Sequence, residues 1–472
     1  MKKPFICVLL AIFVLLMPGC NRPGTKTNVS SSVLPDTESA AEEDSSLVEE
    51  PSTPAEERVS SMVPATPSAV ASSKSSSRVS TAQWGTIQID KKPALPLQAP
   101  WTQELIDKYS RLSAEAVAGD NSRLAGFIRK LHAGETVTVG FIGGSITQGS
   151  PGLLSFDLYP RVLCDWLAYQ FPQAKVELIN IGVGATRSLY GVHRIESQLL
   201  CRNPDLVIVE FSANDDPTKQ MYDESYESLC RKILNWRFKP ALITLSMCWK
   251  TFSSSQNRHI LTAKHYQIPL VSYLDAVKAG IWSGEITWDT LCDDDVHPNK
   301  SGHWFVAQLL AKRMETVIDH INTYPKPNTV LPAARTENRY EDAGIIRAGQ
   351  MGTVTFHPPL SLGGFKAMSF SIFFDFNNGW SCGTAGSEPL RFEITAGSIA
   401  VAFLAFDAKF DIIVDKGTVN EKTIAVTRKA SDEAVNFVFA VNDGVKQKHT
   451  IDIKYADTGG KVYINGIMVA QR

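Results

Sequence analysis

Between residues 136 and 320, short apolar runs alternate with stretches in which apolar positions return every third or fourth residue. The runs at 136–143 (TVTVGFIG), 175–182 (KVELINIG), 205–211 (DLVIVEF), 241–247 (ALITLSM) and 269–273 (PLVSY) are short and rich in β-branched residues, which predicts strands. The stretches at 157–170, 189–201, 222–236, 256–267 and 301–320 carry the helical period. So do QELIDKYSRLSAEAV and NSRLAGFIRKLHAG, upstream of the first strand. Near-continuous apolar strands separated by helices predict an α/β domain over residues 96–323, a doubly wound parallel sheet with both faces covered. A Pro-rich break, INTYPKPNTVLPAARTENRYED, follows. Beyond it come TVTFHP, AMSFSIFFDF, LRFEITA, IAVAFLAF, FDIIVD, AVNFVFAVN, HTIDIKY and KVYINGIMVA, separated by Gly and Asn turns. Many short strands with no helical run predict an all-β sandwich of jelly-roll type over residues 336–472.

The N-terminus follows a different logic. Lys2 and Lys3 precede the apolar run FICVLLAIFVLLMPG, which stops at Cys20, so residues 1–20 read as a secretory signal peptide. LLMPGC resembles a bacterial lipoprotein signal, which implies a lipid on Cys20 and a membrane as partner; Met17 and Pro18 depart from the usual pattern. Ordinary secretion and an uncleaved anchor are the alternatives. Residues 21–95 are rich in Ser, Pro, Glu and Thr and poor in large apolar groups, which predicts a disordered tether. As a flexible coil, about 75 residues span roughly 50 Å r.m.s.. These features predict a protein lipid-anchored on the outer face of a bacterial membrane, or secreted.

A net charge of −2 over 472 residues gives no basic field for nucleic acid, so none is expected as a partner. Apart from Cys7 in the signal and Cys20, six cysteines remain: Cys164, Cys201, Cys230, Cys248, Cys292 and Cys382. None forms a C-x-x-C pair or a zinc-spaced cluster, and most read as buried thiols.

Polar residues gather where the strands end, and ligand sites of such sheets lie beyond the carboxyl ends of the strands. The first strand runs into Gly143-Gly144-Ser145, the second into NIGVGATRS, the third into EFSANDD, and DDDVHPNKSGH precedes the last helix. Alone, each block has a plain alternative: Ser145 as a helix N-cap, Asn214-Asp215-Asp216 as a turn, Asp294 as a solvated acid, His297 as a helix-start residue. The Gly-rich turn lacks the G-K-[ST] ending of a P-loop. Together they supply a hydrolase's parts: Ser145 as nucleophile, His297 as base and Asp294 to orient it. Asn214 offers an amide donor, and Ser145 and Gly184 offer backbone N–H donors for an oxyanion. Gly182 is an alternative to Gly184. His303 reads as a packing or surface histidine, and Asp293-Asp294-Asp295 lacks EF-hand spacing, so no metal is expected.

The four blocks, in this order, resemble the SGNH or GDSL hydrolases over about residues 122–322. Two departures stand out: Gly144 where the family has Asp, and Ala213 where glycine is common before the asparagine. The resemblance implies flavodoxin-like layers and a serine esterase that needs no cofactor. An exported chain with a β-sandwich, which resembles carbohydrate-binding modules by fold analogy, directs the substrate expectation to an O-acetylated extracellular polysaccharide. Trp249 and Trp288 are candidate sugar platforms; Trp380 is as well explained by the sandwich core. The rivals are a lipase or thioesterase, an acyltransferase of the same fold, and a surface glycan-binding lipoprotein without activity.

Overall fold

The computed structural model describes residues 83–93, 97, 100–150, 152–349, 358–368, 378–404, 408–428, 435–456 and 461–471. The expected signal peptide, Cys20 and residues 21–82 lie outside them, as do most of TVTFHP and AMSFSIFFDF.

Five strands form the first sheet: β1 (Thr136–Gly143), β2 (Lys175–Asn180), β3 (Leu206–Glu210), β4 (Ala241–Ser246) and β5 (Leu270–Ser272). Their order is β2-β1-β3-β4-β5, and every pairing is parallel. This is the flavodoxin-like doubly wound order, and its strand sequence reverses between β1 and β3. The helices are α1 (Gln103–Glu115), α2 (Ser122–His132), α3 (Ser145–Gln148), α4 (Tyr159–Gln170), α5 (Ser188–Gln198), α6 (Gln220–Asn235), α7 (Gln256–His265), α8 (Tyr273–Trp282), α9 (Trp288–Leu291) and α10 (Lys300–Asp319). Strand alternation sorts the sheet's two faces. Val137, Val139, Phe141, Ile208 and Ile243 pack among residues of α1, α2, α4, α8 and α10. Ile142, Val207, Val209 and Leu242 pack among residues of α5, α6 and α7.

Two expectations need correction. The run PLVSY reads as strand through Tyr273, but the strand stops at Ser272, whose Oγ accepts the Asp275 N–H (2.9 Å) and starts α8. Residues 83–93, expected as part of the disordered tether, are instead packed on the α/β domain. There the Trp84 indole donates to Pro325 O (3.1 Å) and Ile87 exchanges hydrogen bonds with Asn322. Ile87 and Ile89 pack against the core, so this stretch carries apolar anchors that the Ser/Pro-rich part lacks.

The C-terminal part is antiparallel: β6 (Gly344–Ile346), β7 (Lys366–Met368), β8 (Gly379–Cys382), β9 (Leu390–Leu404), β10 (Ala408–Val414), β11 (Lys422–Arg428), β12 (Val435–Tyr455) and β13 (Val462–Ala470). They form one sheet in the order β11-β10-β12-β9-β13-β8-β7, with β6 on β13. LRFEITA and IAVAFLAF, expected as separate strands, are the two halves of β9; AVNFVFAVN and HTIDIKY are likewise one strand, β12. The pairing of these strands shifts register between Asn442 and Gln447, so the β12 turn residues form a bulge that lets the sheet curl. Trp380 is buried edge-on against Phe392 (5.4 Å between ring centroids), which makes it a core residue and no sugar platform.

The second half of β9 is buried on both faces. Ile399, Val401 and Phe403 point into the β-domain core, while Ala400, Ala402 and Leu404 join the cluster that includes α5 and α6. The Pro-rich break is fastened to α6 rather than hanging free. Arg339 Nη2 donates to Glu224 (2.7 Å), Arg231 Nε to Glu341 (2.9 Å), and Arg335 pairs with Asp223. Glu227 accepts the N–H groups of Arg335 (2.6 Å) and Thr336 (2.7 Å).

Candidate active site

The chain leaves β1 through two glycines because two side chains would collide there. A Cβ on Gly143 would fall 2.2 Å from Thr147 Oγ1 and 2.5 Å from Glu210 O. A Cβ on Gly144 would fall 2.2 Å from Asn214 Oδ1, so the Asp of the family pattern has no room here unless Asn214 moves. Ser145 opens α3, whose backbone bonds run from Gln148 N to Gly144 O (3.0 Å) and Gly149 N to Ser145 O (2.8 Å).

His297 arrives 152 residues later, with Nε2 at 2.7 Å from Ser145 Oγ and Nδ1 at 2.7 Å from Asp294 Oδ2. The second Asp294 oxygen accepts the backbone N–H groups of Val296 (2.8 Å) and His297 (2.6 Å), which closes the D-x-x-H segment into one turn. That turn is held from outside. The Trp288 indole donates to Asp294 O (2.7 Å), and Lys250 N–H donates to Asp295 O (2.7 Å). Trp288 is therefore a buried prop of the acid loop and no sugar platform. Burial opposes ionisation of Asp294, but the N–H groups and the His297 imidazole outweigh it and hold the carboxyl below its ordinary value.

Asn214 follows β3, the neighbour of β1 at the switch point. Its carbonyl accepts from Arg187 Nε (2.9 Å). The next residue, Asp215, anchors the loop: Oδ1 accepts the Ser188 N–H (2.9 Å) at the start of α5, and Oδ2 lies 3.1 Å from His259 Nε2. The His259 ring stacks on Tyr226 at 3.4 Å between centroids.

The two candidate glycines differ. The Gly182 N–H is taken by Asn180 Oδ1 (2.9 Å), and a Cβ there would meet Gln148 N at 2.3 Å. Gly184 lies beside Ser145: a Cβ on it would be 3.6 Å from Ser145 Cβ. Its N–H donates to the side chain of Gln148.

Two residues in this neighbourhood were not singled out from the sequence. Glu210 ends β3 fully buried, accepting from Thr147 Oγ1 (3.2 Å) on the helix that Ser145 opens. Burial pushes its carboxyl up to about 7, against the opposing pull of the Thr147 hydroxyl and the Gly144 N–H. A lone acid at the end of the apolar run LVIVEF was the available signal. Gln148 sits on α3 with nothing in its residue type to mark it. His303 is a packing residue: buried, stacked on Tyr159 (6.0 Å between centroids), and kept neutral by burial, which lowers its pKa to about 4. Trp249 is 40% exposed, and its indole donates to Ala213 O (2.7 Å), next to Asn214.

A hydroxyl hydrogen-bonded to an imidazole, itself bonded to a carboxylate, is the arrangement of a serine nucleophile with its general base. Residues 141–305 match the model of the GDSL-like lipase/acylhydrolase family. Over those residues the α/β domain is similar to the GDSL-like lipases and acylhydrolases, and the chain is a serine hydrolase acting on ester bonds. The chain is similar to a solved two-domain esterase active on acetylated mannans, co-crystallised with mannopentaose: 28% identity, TM-score 0.65, covering 76% of this chain and 97% of that one. A second structure of a two-domain esterase active on acetylated mannans gives 26% identity and a TM-score of 0.64, with 76% and 97% covered. No curated protein matches the chain significantly.

Proposed function

We propose that the protein removes O-acyl groups, foremost O-acetyl, from an extracellular polysaccharide through an acyl-enzyme. The observation that carries this reading is the unbroken relay Ser145–His297–Asp294, with both links at 2.7 Å. Ser145 Oγ attacks the ester carbonyl while His297 Nε2 takes its proton. Asp294 fixes the tautomer and stabilises the imidazolium. The Ser145 and Gly184 N–H groups and the Asn214 amide receive the oxyanion. Collapse expels the sugar alkoxide, which takes the proton back from His297. Water, deprotonated by His297, then releases the acid and frees Ser145.

The substrate class draws on the mannan-active esterase, of whose length 97% is covered, so the likeness extends over both its domains. Trp249, half-exposed beside the Asn214 loop, offers an aromatic face to a sugar ring at the rim of the site. A lipid on Cys20 and the tether would hold the enzyme outside the cell near such a polymer. In that case Cys20→Ala releases active enzyme to the medium, and persistent membrane attachment would refute the lipid anchor.

The deciding experiment is acetate release from acetylated mannan, xylan and other acylated glycans, with Ser145→Ala as control. Release that is abolished by the substitution supports the reading; no release from any of the glycans, or equal release by the variant, overturns it.

A further inference from the structure

Gly184 is a donor in the proposed oxyanion hole, yet its N–H already holds an oxygen. The Gln148 side chain, three residues after Ser145, lays Oε1 on it. A Cβ built on Gly184 would stand 3.0 Å from that oxygen and 3.6 Å from Ser145 Cβ. The amide oxygen therefore occupies the N–H of Gly184 beside Ser145, the donor that an ester carbonyl would use in the proposed site. A primary amide carbonyl is a close chemical relative of an ester carbonyl, a neutral acceptor on an sp² carbon.

The backbone of Gln148 has no freedom to withdraw. Its N–H is bonded to Gly144 O (3.0 Å), Asn180 Nδ2 holds the preceding carbonyl of Thr147 (2.6 Å), and Gly182 packs against the same peptide. The side chain is only half-buried, so it is the part of Gln148 left to move.

We propose that Gln148 is a resident stand-in for the substrate carbonyl and a determinant of acyl size. In the resting enzyme its Oε1 covers the Gly184 donor. An incoming acyl group displaces the amide, and the displaced side chain bounds the acyl pocket, which favours acetyl over longer chains. This inference rests on the roles given above to Ser145 and Gly184.

Displacement gives up one ordinary hydrogen bond, and the bond that replaces it strengthens in the transition state. Gln148→Ala should raise kcat/KM for a p-nitrophenyl acetate probe roughly three- to tenfold, mainly through KM, because one net hydrogen bond no longer competes. It should also lower the preference for acetate over butyrate by roughly tenfold, the scale of methylene discrimination in a pocket. Gln148→Met keeps the bulk and removes the carbonyl, so it should lower KM for acetate while retaining the chain-length preference.

The rival role for Gln148 is a clamp fastening the Gly184 loop to the nucleophile turn. A clamp predicts that both variants lose kcat tenfold or more, with chain-length preference unchanged and melting temperature lowered; that result overturns the proposal. The full-length chain is used throughout, with Ser145→Ala as reference. If that variant hydrolyses the probe as fast as the wild type, the proposed catalytic reading has failed, which is distinguishable from failure of the Gln148 inference.

Discussion

Glu210 ends β3 and Asn214 lies in the loop just after it, and chemistry assigns them opposite kinds of test. The Asn214 amide packs over Gly144, where a Cβ would come within 2.2 Å of its oxygen, and its place in the proposed site is to receive charge that develops only in the transition state. Asn214→Ala should lower kcat by about 10²–10³, or about 2.7–4 kcal/mol, with little change in KM. Kinetics and thermal unfolding check it together: an active but unstable variant would show that the amide is a structural cap. Glu210 is a stability group. Its carboxyl is raised to about 7 by burial first, so the native state holds a proton that an unfolded glutamic acid gives up near its ordinary value of 4.5. The sign follows from proton binding. The contribution is fully present below the unfolded value, and stability is lost as pH rises from there through about 7. Glu210→Gln removes that titration, so the variant should gain on the wild type across this window, by roughly 3 kcal/mol at pH 8. Denaturant unfolding of both proteins at pH 4.5, 6 and 8 measures it, and parallel pH profiles would remove Glu210 as the cause.

Helix α6 is the element on which the two halves of the chain meet, and its acids show how. Glu224 is 1% exposed and receives Arg339 through its backbone N–H (2.8 Å), Nε (3.0 Å) and Nη2 (2.7 Å). Arg339→Ala leaves a buried carboxylate with one backbone donor, and should cost on the order of 3 kcal/mol. Adding Glu224→Gln should recover part of that loss, since the unpaired charge goes with it; no recovery in the double variant would show that the arginine acts by packing alone. None of these pairs is legible in sequence, because Arg335 and Arg339 lie far downstream of Asp223 and Glu224 and meet them only in the fold. The five central strands were legible for the opposite reason: buried on both faces, they read as continuous apolar runs whatever lies outside. Helix α8 escaped because its cap, Ser272, directly abuts the strand residues Leu270 and Val271, although Ser272 and Asp275 have capping spacing. In the β-domain, alternation disclosed strands but not their continuity: a bulge and a turn look alike in sequence, and only pairing across β9 and β12 distinguishes them. Within the site, Ser145, Asp294, His297 and Asn214 carry residue types that chemistry singles out. Gln148 does not, and only its contact with Gly184 makes it visible.

At the scale of the whole molecule, the β-domain can be a detachable sugar-binding module or a structural part of the esterase. The contacts favour the second. Tyr190 on α5 donates to Asn465 Oδ1 (2.7 Å) and accepts from Arg347 (2.9 Å), all three being buried. Lys232 on α6 donates to Ala343 O, and Ala400, Ala402, Leu404 and Met468 close the apolar cluster over that layer. Removing everything after Thr323 would expose this surface and strip Asp223, Glu224 and Glu227 of the partners that their burial requires. The damage should reach the chemistry, because α5 begins at Ser188, which holds Asp215, and Arg187 holds the Asn214 carbonyl. Chains covering residues 81–323 and 81–472 should therefore differ in more than polysaccharide binding. The shorter one should aggregate or melt about 10–20 °C lower, corresponding to a loss of roughly 5 kcal/mol for a domain of this size. Its kcat on a small soluble acetate ester, which needs no sugar contact, should fall as well. A detachable module predicts the contrary: an unchanged melting temperature and full kcat on the small ester, with loss confined to polymeric substrate. Melting curves and small-ester kinetics on the two chains separate these outcomes, and a stable, fully active 81–323 chain would show that the interface contributes nothing to the esterase.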